Sequence, residues 1–140
     1  MLEEKNIKGG NKQMEMEKVA RENLGKWVEA LKTLDAKVMA EFYAQDATFL
    51  PTLSPDFKKG TGEAKQYFVH FLEKYPVAEI KNEVVQPLGE DVYLHSGMYD
   101  FEIGPDGERS AVQARFSYVW KKDEDGKWKI IHHHSSLKPQ

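Results

Sequence analysis

The first half of the chain repeats apolar residues with a helical period. From Met14 onward, apolar side chains recur every three or four positions and charged residues fill the positions between them. These apolar residues are Met16, Val19, Ala20, Leu24, Trp27, Val28 and Leu31. Such spacing places them on one stripe of a helix. We therefore predict one long amphipathic helix, preceded by a polar and disordered arm over residues 1–13.

Two shorter helices are predicted after the long one. Asp35 is a typical N-cap for the second helix. The apolar residues of that helix are Val38, Met39, Phe42 and Tyr43. A short strand over residues 47–50 and a proline-containing loop over residues 51–59 follow. The third helix begins within residues 60–63 and ends at Pro76.

The second half of the chain has the composition of β-strands. Four segments are rich in Val, Ile, Tyr, Phe and Trp, namely residues 77–88, 91–103, 110–122 and 127–136. Short turns containing glycine separate them, and short turns force neighbouring strands to pair antiparallel. Helices at one end of the chain and antiparallel strands at the other predict an α+β fold with the helices on one face of the sheet. Large residues occur on both faces, so we expect the open face to be buried against a second copy of the chain.

Composition narrows the classes of function. The 140 residues suit one domain, which we place at residues 14–139. The net charge of −3 gives no basic surface for nucleic acid or for an anionic membrane, so neither is an expected partner. The chain has no cysteine, which excludes a thiolate nucleophile and a zinc–thiolate site. Without a signal peptide or a long apolar stretch, we expect a cytoplasmic protein.

Polar residues in the middle of the strands form the candidate ligand site. We place Ile103 opposite Glu108 and Lys122 opposite Lys127 across the two turns. On that register one face of the sheet carries Ser96, Arg115 and His134 in one row. Leu94, Ser117 and His132 form the next row, and Met98, Gln113 and Ser136 form the row beyond. The opposite face carries His95, Phe116 and His133, with Tyr93, Tyr99, Tyr118 and Ile131 nearby. A shift of one residue would exchange the two faces.

Arg115 is the strongest candidate for binding a ligand. It lies in an apolar run far from any turn, and a guanidinium group cannot lose its charge on burial. We therefore predict that it binds a carboxylate or a similar anion. The alternative is an ion pair with Asp100, with Glu102 or with an acidic residue of a helix. The predicted ligand-binding residues are Arg115, His132, His134, Tyr99, Tyr118 and Ser96.

Metal binding and acid–base catalysis have weaker support in the sequence. His132 and His134 point the same way on a strand and could supply two ligands, but a zinc site needs at least a third. We therefore predict no metal and no cofactor. Asp46, Asp100 and His134 are candidates for an acid or a base, provided that burial in a pocket alters a pKa. A helix-terminal or turn role for Asp46 and an edge or ion-pair role for Asp100 remain open. So does hydrogen bonding within a pocket or subunit interface for His134, and enzymatic activity is left undecided.

Four segments of the chain resemble a known family. They are Tyr43–Pro51, Gly97–Phe101, Ala114–Trp120 and the run from Asp125 to Ser136 with Pro139. In order and spacing they are similar to the nuclear transport factor 2-like superfamily. Within it they are similar to the association domains named after calcium/calmodulin-dependent protein kinase II, and above all to stand-alone bacterial members. The resemblance implies a cone-shaped, cystatin-like fold in which a curved antiparallel sheet wraps one long helix and two short ones.

The resemblance also implies a function. Family members dimerise through the outer surface of the sheet, and the kinase hubs build rings of such dimers. The hubs carry pocket arginines where this chain has Tyr118 and Ser135, so Arg115 would supply the cation here. We expect a homodimer, or a higher ring, that binds a small anionic molecule and has no kinase activity. The alternatives are a SnoaL-like or ketosteroid-isomerase-like enzyme (isomerase, cyclase or dehydratase) and a partner of a related domain in another protein.

Overall fold

The structure is a computed structural model that describes residues 2–140, with the side chains of the first helix described from residue 11 onward. Its helices are α1 (Leu2–Leu31), α2 (Ala36–Ala40) and α3 (Gly60–Phe71), and a 3-10 turn at Leu72–Lys74 ends α3. Its strands are β1 (Tyr43–Leu50), β2 (Lys58–Lys59), β3 (Val77–Gly89), β4 (Val92–Ile103), β5 (Ser110–Lys122) and β6 (Trp128–Leu137). No helix in this part of the chain is long and apolar enough to cross a membrane.

The six strands form one sheet in the order β2-β1-β6-β5-β4-β3. Strands β3 to β6 pair antiparallel in sequence order, as the short turns predicted. Strand β1 adds a parallel pairing with β6, and the two-residue β2 pairs antiparallel with β1. The four-stranded meander predicted from the sequence is therefore the larger part of a mixed sheet.

Strand β1 begins four residues earlier than predicted. Tyr43 was assigned to the second helix because the apolar spacing of residues 38–43 suits a helix. In the structure α2 ends at Ala40, and the Ile130 amide donates to the Phe42 carbonyl at 2.7 Å. This bond starts the pairing with β6, which places Tyr43 opposite Ile130. The partner strand, which lies almost 90 residues away in sequence, decides the conformation here.

Helix α1 begins at Leu2 and not at Met14. The disordered arm predicted over residues 1–13 is therefore helical from Leu2 onward, and Met1 lies outside the described residues. The segment contains Glu, Lys and Gln, which are good helix formers and compensate for two glycines. The Gln13 amide donates to the carbonyl oxygen of Val85 at 3.1 Å and so connects this part of the helix to β3.

The helices pack on one face of the sheet, which we call the inner face. Buried aromatic residues of both layers meet there: Trp27 of α1 contacts Phe68 of α3 and Tyr99, Phe101 and Tyr118 of the sheet. On β4 and β5 alternate residues are buried, as expected for a sheet covered on one side. The predicted α+β fold with helices on one face is confirmed.

The register differs from the predicted one by two residues. Ile103 pairs with Ser110, and Ser96 pairs with Ser117 where Arg115 was expected. The turn between β4 and β5 is longer because the Arg109 guanidinium holds it, donating to the carbonyl oxygens of Glu102, Gly104 and Tyr75 at 2.5–2.9 Å. A shift of two keeps each side chain on its face. The predicted division between the faces is therefore right for the residues of β4 and β5 and for the three histidines of β6, although the predicted rows are wrong. Ile131 is an exception, because it borders a surface groove at an irregularity of β6 and Ile130 is buried in its place.

Candidate functional site

The inner face is centred on a buried histidine, His133. Its side chain is 2% exposed and lies between two parallel rings. The ring centroid of Tyr118 is 3.8 Å away with an interplanar angle of 14°, and that of Phe49 is 4.8 Å away with an angle of 12°. A bulge in β6 around Ile131 sets the alternation that turns His133 and Ser135 inward.

Hydrogen bonds give His133 a defined tautomer. The Trp27 indole donates to the Tyr43 hydroxyl at 3.2 Å, so the Tyr43 hydrogen is free to be donated to Nδ1 of His133, which is 2.9 Å away. Nε2 then carries the ring hydrogen and donates to the Tyr99 hydroxyl at 3.2 Å. Tyr99 in turn donates to Oγ of Ser135 at 2.6 Å. His133 is thus neutral, and burial lowers its pKa well below the usual value, with smaller contributions from His132 and His134.

The space beside this network is almost filled. A cavity of about 10 Å³ lies against Thr52, Tyr99, His133 and Ser135. Such a volume holds about one water molecule. Thr52 closes it from the loop after β1, because its hydroxyl hydrogen-bonds Ser135 and its carbonyl accepts from the Tyr67 hydroxyl at 2.8 Å. The interior is polar, but in this conformation it is closed.

The predicted ligand-binding residues are divided between the two faces of the sheet. Tyr99 and Tyr118 are buried on the inner face, where burial raises the pKa of both hydroxyls. The other four predicted residues lie on the opposite side of the sheet, namely Ser96, Arg115, His132 and His134. The six residues therefore do not share one pocket. Successive side chains of a strand point to opposite faces of the sheet. His132 and His134 therefore point away from the interior, while His133 between them points into it.

The side of the sheet away from the helices is the second feature of interest, and we call it the outer face. It is formed by Val84, Leu94, Ser96, Met98, Arg115, Ser117, Val119, His132 and His134. Arg115 is exposed there, with Nη2 3.5 Å from Oγ of Ser136. Nδ1 of His132 lies 2.6 Å from the Thr48 hydroxyl on β1. Partial burial, and then the neighbouring His134, lower the pKa of His132.

The two candidate catalytic aspartates also lie outside the interior. Asp46 is exposed on β1 and borders a surface groove of about 540 Å³, together with Lys121, Lys122 and Lys129. Asp100 is half-buried on β4 and pairs with Gln113 across the ladder. Neither borders the cavity beside His133. The candidates Asp46, Asp100 and His134 are therefore not brought together.

A second buried histidine, His95, has a different environment. It is 0% exposed, and neither ring nitrogen has a hydrogen-bond partner among the described residues. Its Nε2 is 3.7 Å from a carboxylate oxygen of Glu83, which accepts from Arg21 at 2.9 Å. Burial lowers the pKa of His95 and the Glu83 carboxylate opposes that effect.

Sequence reasoning missed three members of the inner network. Tyr43 was assigned to a helix, Trp27 was treated as an apolar core residue, and Thr52 was placed in a loop without a role. The available signal was the amphipathic nature of Tyr and Trp, which normally find a hydrogen-bond partner when they are buried. Among the described residues, no three His, Asp or Glu side chains are grouped so as to hold a metal ion.

Comparison with known proteins agrees with this architecture. The family model of the calcium/calmodulin dependent protein kinase II association domain matches residues 14–139. A crystal structure of a protein from Xanthomonas campestris that bears this domain name is 36% identical, has a TM-score of 0.80, and each chain is covered to 84%. A search of curated protein sequences gave no match.

More distant solved structures share the fold. An NTF2-like protein with a cystatin-like fold from Novosphingobium aromaticivorans is 13% identical with a TM-score of 0.74, over 95% of this chain and 88% of the other. An NTF2-like superfamily protein from Salmonella enterica is 14% identical with a TM-score of 0.77, over 91% and 94%. The predicted NTF2-like, cystatin-like fold is thus confirmed.

Proposed function

Because the chain belongs to the family of the calcium/calmodulin dependent protein kinase II association domain, we propose that it is a self-associating domain in which two copies pack through their outer faces. Family membership supports self-association, and the outer face supplies the surface. The kinase activity in the family name is not part of the proposal.

The composition of the outer face carries this proposal. Its middle row across the ladder is Val84, Ser96, Ser117 and His134, and the adjacent row is Gln86, Leu94, Val119 and His132. Neither row contains Asp, Glu, Lys or Arg, and Val84 is 60% exposed. The cores of protein interfaces are depleted in charged residues in the same way. The small serines leave a flat surface on which a second sheet can pack.

A charge in the middle row tests the proposal. Ser117→Arg should convert the dimer to a monomer, because the charge would be buried without a partner. Ser110→Arg, at the exposed start of the same strand, is the matched control and should leave the dimer intact. Sedimentation velocity measures both variants against the wild type. A wild-type chain that sediments as a monomer at every concentration would contradict the proposal.

Binding of a small molecule in the interior is the second part of the proposal, and polar residues in an otherwise aromatic interior support it. The ligand expected there differs from the predicted anion. Arg115 lies on the outer face, and His133 is neutral, so the described interior offers no cation. We expect a neutral molecule that hydrogen-bonds Tyr99 and Ser135 once the loop carrying Thr52 moves aside.

Titration of isotope-labelled protein followed by NMR separates the two kinds of ligand. Small neutral amides and alcohols should shift the signals of residues 52, 99 and 135, and small carboxylates should not. A carboxylate that shifts these signals more than its neutral amide would contradict the revised ligand class. Ser117→Arg provides the control for shifts that arise from self-association.

The geometry does not favour the acid–base enzyme alternative. Its candidates Asp46, Asp100 and His134 lie away from the interior, and the two ring nitrogens of His133 are already hydrogen-bonded. A cytoplasmic location and mixed dimers with a related domain stay predictions from the sequence.

A further inference from the structure

His132 and His134 form a two-histidine group near the middle of the outer face. They occupy alternate positions of β6, so that both side chains project from the same side of the strand. His134 is exposed and His132 is half-buried. Strand β6 is third of the six strands in the sheet, with β5 beside it as the fourth. The pair therefore lies close to the centre of the face.

The contact with Thr48 prepares His132 to bind a metal ion. The hydroxyl oxygen of Thr48 lies 2.6 Å from Nδ1 and can accept the hydrogen of that atom. The lone pair is then on Nε2, the arrangement in which a second-shell acceptor orients a metal-binding histidine.

One chain supplies only half of a zinc site. Zinc in proteins is bound tetrahedrally by four ligands, and two imidazoles leave the shell incomplete. In a two-fold dimer the same patch of each subunit meets its counterpart, so residues near the axis approach their own copies. A two-fold axis placed at the centre of the face, near β5 and β6, would bring two His132 and two His134 side chains together.

We propose that two copies of the chain bind one divalent transition-metal ion of the Zn²⁺ type between their outer faces, through His132 and His134 of each copy. The inference rests on the proposed self-association. Arg115 is diagonal to His134 across the ladder, because it pairs with Ser136. Its positive charge opposes a cation, so Arg115→Ala should tighten metal binding without changing the stoichiometry.

The experiment uses the full chain without a purification tag, stripped of metal with EDTA and then dialysed. Isothermal titration with Zn²⁺ should give one ion per two chains, and Co²⁺ should give the strong visible absorption of a tetrahedral site. His134→Ala should abolish this binding, and Thr48→Val should weaken it about tenfold because the second-shell contact is lost. His70→Ala, on the exposed side of α3, should bind as the wild type does.

Sedimentation in EDTA separates the two proposals. A dimer in EDTA that binds no Zn²⁺ overturns the metal inference and leaves the self-association intact. A monomer both with and without Zn²⁺ overturns both. One ion per chain, or binding that survives His132→Ala combined with His134→Ala, also overturns the inference. Circular dichroism of each variant identifies any loss of binding that is due to unfolding.

Discussion

The inner face contains two buried histidines with opposite surroundings. His133 has a hydrogen-bond partner on each ring nitrogen and an aromatic ring on each side. His95, on strand β4, which β5 separates from β6, has no hydrogen-bond partner among the described residues. A buried polar group without a partner costs about 1–3 kcal/mol, whereas one with partners contributes to stability. The same residue type should therefore have opposite effects at the two positions.

Substitution of each histidine by leucine tests this difference. His95→Leu should raise the free energy of unfolding by about 1 kcal/mol, because it removes an unsatisfied polar ring. His133→Leu should lower it by about 3 kcal/mol, since it leaves the hydroxyls of Tyr43 and Tyr99 without their partner. Urea denaturation at pH 7 measures both variants. Equal destabilisation by the two substitutions would contradict the assignment.

The lowered pKa values of the histidines predict destabilisation by acid. Below about pH 6.5 the unfolded chain binds protons at His95, His132 and His133 that the folded chain does not bind. Stability is therefore complete above that pH and falls as the pH decreases, by up to about 1.4 kcal/mol per pH unit for each histidine. Urea denaturation between pH 7.5 and pH 5 measures this dependence. His133→Leu should make it shallower, and an unchanged slope would count against the buried neutral ring.

At this scale the sequence predicted which face of the sheet several residues occupy but could not say which of them meet. The alternation of β6 was enough to place His133 opposite to His132 and His134, and the structure agrees. The residues of the predicted anion site do not come together, because Arg115 is on the outer face while Tyr99 and Tyr118 are on the inner face. The Trp27–Tyr43–His133 chain could not be found, because it joins residues from three elements that are far apart in sequence.

Among the elements, β3 and β4 are in close backbone contact at Gly97. A β-carbon built there would lie only 1.9 Å from the carbonyl oxygen of Asn82. The ladder is irregular at this point, where Lys81 is left out of the pairing between Ile80 and Asn82. The atoms that it would meet are backbone atoms of Asn82 and Glu83 on β3, so a side chain at Gly97 could be admitted only by separating the strands.

Two glycine-to-alanine substitutions should therefore change the free energy of unfolding in opposite directions. Gly97→Ala should lower the free energy of unfolding by about 3 kcal/mol or more, because the strands must separate. Gly25→Ala, on the exposed side of α1 with no atom within 4 Å of the added carbon, should raise it by about 1 kcal/mol. Thermal unfolding followed by circular dichroism compares them. A Gly97→Ala variant as stable as the wild type would show that the two strands are further apart.

The elements with local signals were predicted well. The turn residues predicted the boundaries of the four long strands, and the apolar stripe predicted α1. The start of β1 at Tyr43 and the six-residue turn held by Arg109 were missed, because a distant strand and three backbone carbonyls determine them. Neither cause can be seen in a short window of sequence.

For the whole molecule, self-association links stability to concentration. If only folded chains pair, the melting temperature should rise with protein concentration by mass action. Ser117→Arg should melt at a temperature that does not change with concentration, because it cannot pair. Differential scanning calorimetry over a hundredfold range of concentration distinguishes the two. A wild-type melting temperature that stays constant would mean that pairing does not stabilise the fold.

The parallel pairing of β1 with β6 has a consequence for how the chain reaches this structure. Strand β1 is synthesised before its long partner β6, which ends at Leu137. Until that segment has left the ribosome, Tyr43 has no strand beside it, and Phe49 has only the two-residue β2. Contacts between segments so distant in sequence also slow folding, because a long loop must close first. The nascent chain therefore exposes the apolar surface of β1 while the residues between β1 and β6 are synthesised, and β1 is the segment where we expect a chaperone to bind.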